Sequence, residues 1–521
     1  MELSRKPPPD DAGPHQLNPA GGTWMFILAA ALAAFYIASS MYIASRRLLW
    51  FDELLTVRFS QLPNAVTIWK AITHVDSNMP YPYFLVVHAF WKLPGPAEII
   101  ARLPSALGVA GGLLIIFDCT RRLTDGLHGL IAVAFLTCSF LPEFGYEARS
   151  YGLYFLMAAL SLWVWIHTSN TRKSSAAIFA AVFVAGVMMN YYFVLCLVPY
   201  AAWELSVWRP WRPPSAKLIG GAFGIVCAAA LLSPQILAAR VNSADYWAKP
   251  SFRALREVFS SMLPGGLFLL CLIMVWAALT ARDSAASATP MRDAPMRNAE
   301  RVGWLFLLIP IAGYIVATAV TNAFVTRYFI NTLPGVSAAF ACWLWRGFRG
   351  TRYFAVGVFL LLTIFGMAKQ AETARHPQSI DPFRQQTQTR QMMDREKSLR
   401  QDGKQFILVH STLLYMEARY YTKHPEQYGF LIDSDEERSH MTVRTTLAME
   451  QFYPSRIWTL EDLKTHALES AVVEPLESTL TVMKEAGFRP VTRFADPPEV
   501  FYFEQEVVEK RATVPGKSLS E

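Results

Sequence analysis

Two adjacent carboxylates, Asp52 and Glu53, stand in the run Trp50-Phe51-Asp52-Glu53-Leu54-Leu55-Thr56, just past the first long apolar stretch of the chain. Two further groups carry comparable chemistry: Glu147 and Arg149 within Tyr146-Glu147-Ala148-Arg149-Ser150-Tyr151, and Arg327 ahead of Tyr328. A carboxylate takes the proton from a hydroxyl as a general base. Arginines hold a phosphate and stabilise the charge it develops as it leaves. Carboxylates and arginines facing one cavity therefore suit transfer of a group from a phosphate to a hydroxyl. Each group also has a plainer reading. Acids suit the positive end of a helix start. Glu147 and Arg149, two residues apart, make an ordinary pair at a membrane edge. Arg327 can anchor a helix end by snorkelling.

The elements that must position these residues follow from composition. Of 521 residues, 53% are hydrophobic and 17% charged, against about a quarter charged in soluble domains. Apolar runs of roughly 17–25 residues recur, the length of membrane helices. The expected fold is a polytopic α-helical membrane protein of about eleven transmembrane helices. The net charge of +7 comes largely from Lys and Arg in short loops between those runs, the positive-inside pattern. No nucleic-acid motif accompanies it. The six cysteines, Cys119, Cys138, Cys196, Cys227, Cys271 and Cys342, lie in or beside apolar runs. They form neither a disulfide framework nor a CxxC metal site and read as small buried residues.

Residues 1–23 read as a disordered cytoplasmic N-terminus and the run Trp24–Ser45 as an uncleaved anchor. Residues 46–96 form a first loop with Asp52, Glu53, His74, Asp76 and Asn78, in which Tyr83–Leu93, interrupted by His88, reads as an interfacial helix. Further spans are expected at Ala97–Thr120, Gly126–Pro142, Tyr151–His167, 176–189 and 191–207 hinged at Asn190, Lys217–Ala238, Val258–Thr280, Val302–Thr321, Tyr328–Trp345 and Tyr353–Ala368. Placing Arg121-Arg122, Arg172-Lys173, Arg209 and Arg212, Arg282 to Arg301, and Arg346 to Arg352 in the cytoplasm satisfies the positive-inside rule. Asp52-Glu53, Glu147-Arg149, Asp245, Arg327 and the C-terminal residues then share the outer face. Arg46-Arg47 falls there too, against the rule.

Residues 370–521 are soluble in character. Gln405–His410 and Arg456–Thr459 read as strands, Leu476–Ala486 as an amphipathic helix ended by Gly487, and Val491–Phe494 with Val500–Glu504 as a closing hairpin around Asp496-Pro497-Pro498. This predicts a small C-terminal α/β domain on the extracytoplasmic side. It has no nucleotide-binding glycine fingerprint and no metal-ligand spacing.

The order of these features resembles the GT-C superfamily of glycosyltransferases, of the protein O-mannosyltransferase and lipid A aminoarabinose transferase kind. Carrying the resemblance are Asp52-Glu53 after the first span and the segment Asp76 to Tyr83 before an interfacial helix. Arg102-Leu103-Pro104-Ser105-Ala106 then opens the second span, followed by Tyr146–Tyr151, and Arg327-Tyr328-Phe329 with Leu333-Pro334. It covers roughly residues 24–370. It implies transfer of a sugar from a polyprenyl-phosphate donor to a hydroxyl of a glycan, lipid or protein, with inversion at the anomeric carbon. Asp52 would be the general base, or the acid that orients the acceptor, with Glu53 its support and Glu147 the second-loop acid. Arg149 and Arg327 would meet the donor phosphate. Where the family often has His-Pro-Pro, this chain has Asn78-Met79-Pro80. His74 and Asp76 are candidates to serve there as an acceptor or metal site. Some relatives use a divalent ion and others do not, and these residues do not choose between the two.

The competing reading is a transporter or flippase for a lipid-linked saccharide. That would place polar residues deep within spans, with inverted repeats and broken helices. Here the acids sit at loop edges, which favours an enzyme at one membrane face. The expected location is a bacterial inner membrane, with the site and the C-terminal domain facing the periplasm.

Overall fold

The computed structural model describes residues 19–75, 79–208, 213–241, 248–262, 294–348, 352–377, 385–433, 441–449, 452–453 and 456–505. Its contacts divide the chain into two compact units. One holds the residues up to Leu48 and Leu55–Pro377; the other holds Leu49–Leu54 and Gln378–Glu521.

The first unit is helical. Among the described residues four helices are long and apolar enough to cross a membrane: Thr23–Ala44, Ala97–Leu123, Ala294–Thr321 and Arg352–Arg375. Shorter apolar helices accompany them at Tyr81–Phe90, Gly126–Cys138, Tyr151–His167, Lys173–Met189 and Ala216–Leu231. Most of the expected span Val258–Thr280 lies outside the described residues, as do Arg209, Arg212, Asp245, Arg282, Arg292, Arg349 and Cys271. The other five cysteines are free. The chain is an integral membrane protein, as its composition predicts.

Water is absent from a bilayer core, so backbone polar groups bond within helices, and helices associate through close packing at small residues. The helix Ala97–Leu123 packs on Tyr151–His167 in this way. A Cβ on Gly108 would meet the Gly152 backbone at 2.4 Å, and one on Gly152 the Ser105 carbonyl oxygen at 2.0 Å. Lys173–Met189 and Ala216–Leu231 pack alike, with Gly220 and Gly224 against the carbonyls of Ala176 and Ala180. Gly126–Cys138, expected to run to Pro142, stops earlier and passes into a 3-10 turn at Leu141–Tyr146. At the expected hinge, the Asn190 side chain accepts from the Tyr192 N–H at 2.9 Å and starts the 3-10 turn Tyr191–Cys196.

The second unit is a doubly wound α/β layer. Its strands are β1 (Phe406–Val409), β2 (Tyr428–Ile432), β3 (Ile457–Thr459), β4 (Ser470–Val473), β5 (Phe488–Phe494) and β6 (Val500–Gln505), in the order β3-β2-β1-β4-β6-β5. The first four run parallel, and β6 pairs antiparallel with β4 on one side and β5 on the other. Strands β2 and β4, which the sequence pattern does not reveal, lie within the parallel part. Both are buried along their whole length, as strands covered on two faces must be. Ile407, Val409, Phe430 and Val473 face one core with Leu414, Tyr415 and Ala418 of the helix Thr412–Tyr421. Leu408, Leu431, Val472 and Phe503 face the other with Leu463 and Met483. Gly487, at φ +84°, ends the helix Glu477–Glu485 as expected.

Candidate functional site

The Asp52-Glu53 pair opens the helix Phe51–Ser60. Trp50 takes the N-cap position, and its N–H donates to Glu53 Oε2 at 3.2 Å. That is the half of a capping box in which the third helical residue reaches back to satisfy an orphan donor. Glu53 is fully buried, and Asp52 is half-buried. The two acids therefore differ in kind. Glu53 is used in shaping the turn, and Asp52, the more open carboxylate, stands on the first helical turn, where the helix dipole favours its charge. The turn belongs to the second unit, and the Leu49 N–H just before it donates to the Tyr421 hydroxyl at 2.7 Å.

The second group lies in the first unit. After the 3-10 turn Leu141–Tyr146, the chain passes through Glu147, Ala148 and Arg149 and enters the helix Tyr151–His167. The Arg47 guanidinium carbon lies 5.5 Å from the centroid of the Tyr146 ring, and that of Arg327 lies 5.9 Å from the Tyr151 ring. The Tyr154 hydroxyl donates to the Tyr328 carbonyl at 3.0 Å, fixing the 3-10 turn Thr326–Thr332 that carries Arg327 against this helix. Tyr192 stacks on Tyr328 at 4.7 Å. The structure thus gathers Glu147, Arg149 and Arg327 around one short segment and adds Arg47. Arg47 is only 3% exposed, so it is not one of the solvated loop charges that report membrane sidedness. Arg46 beside it is exposed, so burial takes only Arg47 out of that count, and the Arg46-Arg47 misfit was its one signal in the sequence.

Two residues of the Arg102–Ala106 motif hold these segments. Arg102 is fully buried and donates to the carbonyls of Ala44, Arg47 and Leu48 at 2.8, 3.0 and 2.9 Å. Ser105 Oγ donates to the Phe144 carbonyl at 2.7 Å and accepts from the Gly152 N–H at 3.1 Å. The motif thus fixes the chain on both sides of Glu147.

His74 lies in the helix Ala65–Val75, while Asp76 and Asn78 lie outside the described residues. The segment beyond them is well held: Gln235 donates to the Met79 carbonyl and accepts from the Tyr81 N–H, and Tyr83 is fully buried. His88 bonds through Nδ1 to the Ser60 carbonyl at 2.8 Å. Among the described residues no three His, Cys, Asp or Glu side chains gather as a metal site.

Residues 78–237 match the dolichyl-phosphate-mannose-protein mannosyltransferase family. The fold is that of ArnT from Cupriavidus metallidurans. The structure of ArnT bound to undecaprenyl phosphate superposes with a TM-score of 0.56 at 12% identity, over 94% of this chain and 99% of that one. Its apo state gives 0.57 at 11% identity over the same shares. The archaeal oligosaccharyltransferase AglB from Archaeoglobus fulgidus gives 0.34 at 11% identity, over 92% and 75%. No curated protein sequence matches the chain. The resemblance to GT-C glycosyltransferases read from the short motifs agrees with both the family match and the ArnT fold.

Proposed function

We propose that this protein is a membrane glycosyltransferase that moves a sugar from a polyprenyl-phosphate donor to a hydroxyl acceptor. The observation that carries this reading is the placement of Arg47 and Arg327 over the two ends of Tyr146–Tyr151, the segment that holds Glu147 and Arg149. A cationic cradle built on buried aromatics at the end of a helical bundle suits an anionic lipid headgroup. The ArnT fold, seen elsewhere with undecaprenyl phosphate bound, supports the same ligand class.

In the proposed step Asp52 takes the proton of the acceptor hydroxyl. The acceptor oxygen forms a bond to the anomeric carbon. The bond from that carbon to the phosphate oxygen breaks on the opposite face, and its electron pair leaves with polyprenyl phosphate. Arg149 and Arg327 meet the charge gathering on that phosphate. Glu147 orients the sugar or the arginines, and Glu53 keeps the Asp52 turn in shape. The acceptor is a glycan, lipid or protein hydroxyl, and the site faces the periplasm from an inner membrane.

The test is turnover by the purified full-length chain in lipid nanodiscs with a panel of polyprenyl-phosphate sugars, following release of polyprenyl phosphate. Asp52→Asn should slow a donor that turns over by roughly 10²–10⁴-fold, the usual worth of a positioned general base, with folding intact. Equal turnover in the variant would remove Asp52 from the chemistry.

A further inference from the structure

We infer that Tyr421, at the end of a helix in the C-terminal α/β layer, is a positioning residue for the turn that carries Asp52. The inference rests on the proposed role of Asp52 as the base. The Tyr421 hydroxyl accepts a hydrogen bond from the Leu49 N–H at 2.7 Å. Leu49 is fully buried, and a buried backbone N–H is almost always paired. The other half of the same peptide group is also fixed, since the Leu48 carbonyl accepts from Arg102 at 2.9 Å. Trp50, the N-cap of the helix that opens with Phe51-Asp52-Glu53, follows directly. Orientation of this one peptide plane therefore sets where the first helical turn starts and where the Asp52 carboxylate points.

Tyr421 is well built for that task. It closes the helix Thr412–Tyr421, which begins at an N-cap, where Ser411 accepts from the Leu414 N–H, and packs Leu414, Tyr415 and Ala418 into the sheet core. Beyond the helix, the Thr422 hydroxyl donates to Glu396 Oε2 at 2.8 Å. The Tyr420 ring meets the Tyr421 ring edge-on at 5.0 Å. The hydroxyl is thus carried by a packed helix rather than a loop, and a rigid support is what keeps a reacting group within the small tolerance that catalysis allows. A C-terminal layer without nucleotide or metal motifs thereby gains a part in the reaction.

The experiment compares wild type, Tyr421→Phe, Tyr502→Phe and Asp52→Asn as full-length chains in nanodiscs. The substrate is an undecaprenyl-phosphate sugar that the wild type turns over. Hydrogen exchange is followed without substrate. Tyr421→Phe should lower kcat roughly ten- to a hundredfold, with the donor KM and the folded fraction unchanged, as expected of a misplaced base. Exchange at Leu49 should quicken by roughly tenfold, confined to the peptide around residues 46–54. Tyr502→Phe loses a hydroxyl bonded to Asp402 in the same layer and should leave kcat alone. Wild-type kcat in Tyr421→Phe with a slow Asp52→Asn overturns the positioning role and leaves the function standing. So does a rise in KM alone, or a loss explained by less folded protein. Wild-type turnover in Asp52→Asn overturns the reading beneath it.

Discussion

The guanidinium of Arg102 donates to the carbonyl oxygen of Leu48 at 2.9 Å, and the same side chain also takes the carbonyls of Ala44 and Arg47. The first long helix ends at Ala44, so Arg102 satisfies one carbonyl that a helix terminus leaves without an intrahelical partner and two more in the chain just beyond it. The planar fork suits this role and a lysine ammonium does not. Arg102→Lys should therefore not rescue. Each lost charge-assisted bond costs about 1.5–3 kcal/mol, and the carbonyls left behind on Ala44 and Arg47 are in buried residues. We expect Arg102→Ala and Arg102→Lys both to lower the detergent melting temperature sharply and to reduce turnover, the alanine variant more. A lysine variant as stable and active as wild type would rule out this anchoring.

Much of the architecture was legible because a bilayer forces long apolar runs on its helices. The start of Tyr151–His167, the break at Asn190 and the C-terminal hairpin followed from local pattern. Strands β2 and β4 did not, since a short apolar run buried on two faces has no period to separate it from a piece of helix. The candidate site was legible in type and order: Asp52, Glu147, Arg149 and Arg327 are short-range signals. Their supports were not. Arg102 acts on residues more than fifty positions away, and Tyr421 meets Leu49 across 372 positions. Such contacts depend on where the chain goes after it folds. Arg47 lies between the two cases, visible only as a charge that departs from the positive-inside pattern.

Gly152 and Gly108 make the closest backbone approach beside Glu147–Arg149. The nearest atoms a Cβ would meet there are backbone, the Ser105 carbonyl oxygen at 2.0 Å and atoms of residues 152–153 at 2.4–2.6 Å, so moving the Ser105 hydroxyl aside would not make room. Overpacking costs about 1–3 kcal/mol where the surroundings can relax. We expect Gly152→Ala and Gly108→Ala at or above the top of that range, and Gly152→Ala also to slow turnover, because its N–H bonds the Ser105 hydroxyl that holds Phe144. A Cβ on Gly357 would meet nothing within 4 Å, so Gly357→Ala should melt like wild type. Three equal melting temperatures would refute the close-packing account.

Glu300 and Arg346 form a two-bond pair, at 3.1 Å from Nε to Oε2 and 2.8 Å from Nη2 to Oε1, with the carboxylate buried. Removing one partner of a fully buried pair costs about 3–5 kcal/mol, because the other charge stays behind uncompensated, while replacing both is far milder. The Arg346 side chain is 44% exposed, so Arg346→Gln should cost less than that range, and Glu300→Gln with Arg346→Gln should recover most of the loss. By contrast Arg253→Gln breaks an exposed pair with Glu257, worth about 0.3–0.5 kcal/mol at most. Thermal melts of wild type, Arg346→Gln, Glu300→Gln and their double variant, read as a double-mutant cycle, with Arg253→Gln beside them, check this ordering. A double variant no more stable than Arg346→Gln would contradict it.

Glu474 follows β4 with a left-handed φ of +51°, and its N–H donates to the Glu499 carbonyl at 2.8 Å. Its Oε1 accepts from the Gln388 side chain at 3.0 Å. Burial, and then the nearby Glu499 charge, push its carboxyl above the ordinary glutamate value. A raised value means that folding favours the protonated form. The stability this contributes is full below the unfolded value and is lost as pH rises through the folded one. At about pH 7 the ionised group therefore strains the end of β4, and Glu474→Gln, which keeps the acceptor without the charge, should remove that strain. Hydrogen exchange of residues 470–473 and 500–505 in the full-length protein tests this between about pH 4.3, the ordinary glutamate value, and about pH 7. After correction for intrinsic exchange, the variant should be better protected than wild type at the upper end, and the two should converge at the lower end. A gap that instead widens as pH falls would mean that the folded protein favours the carboxylate, against the burial argument.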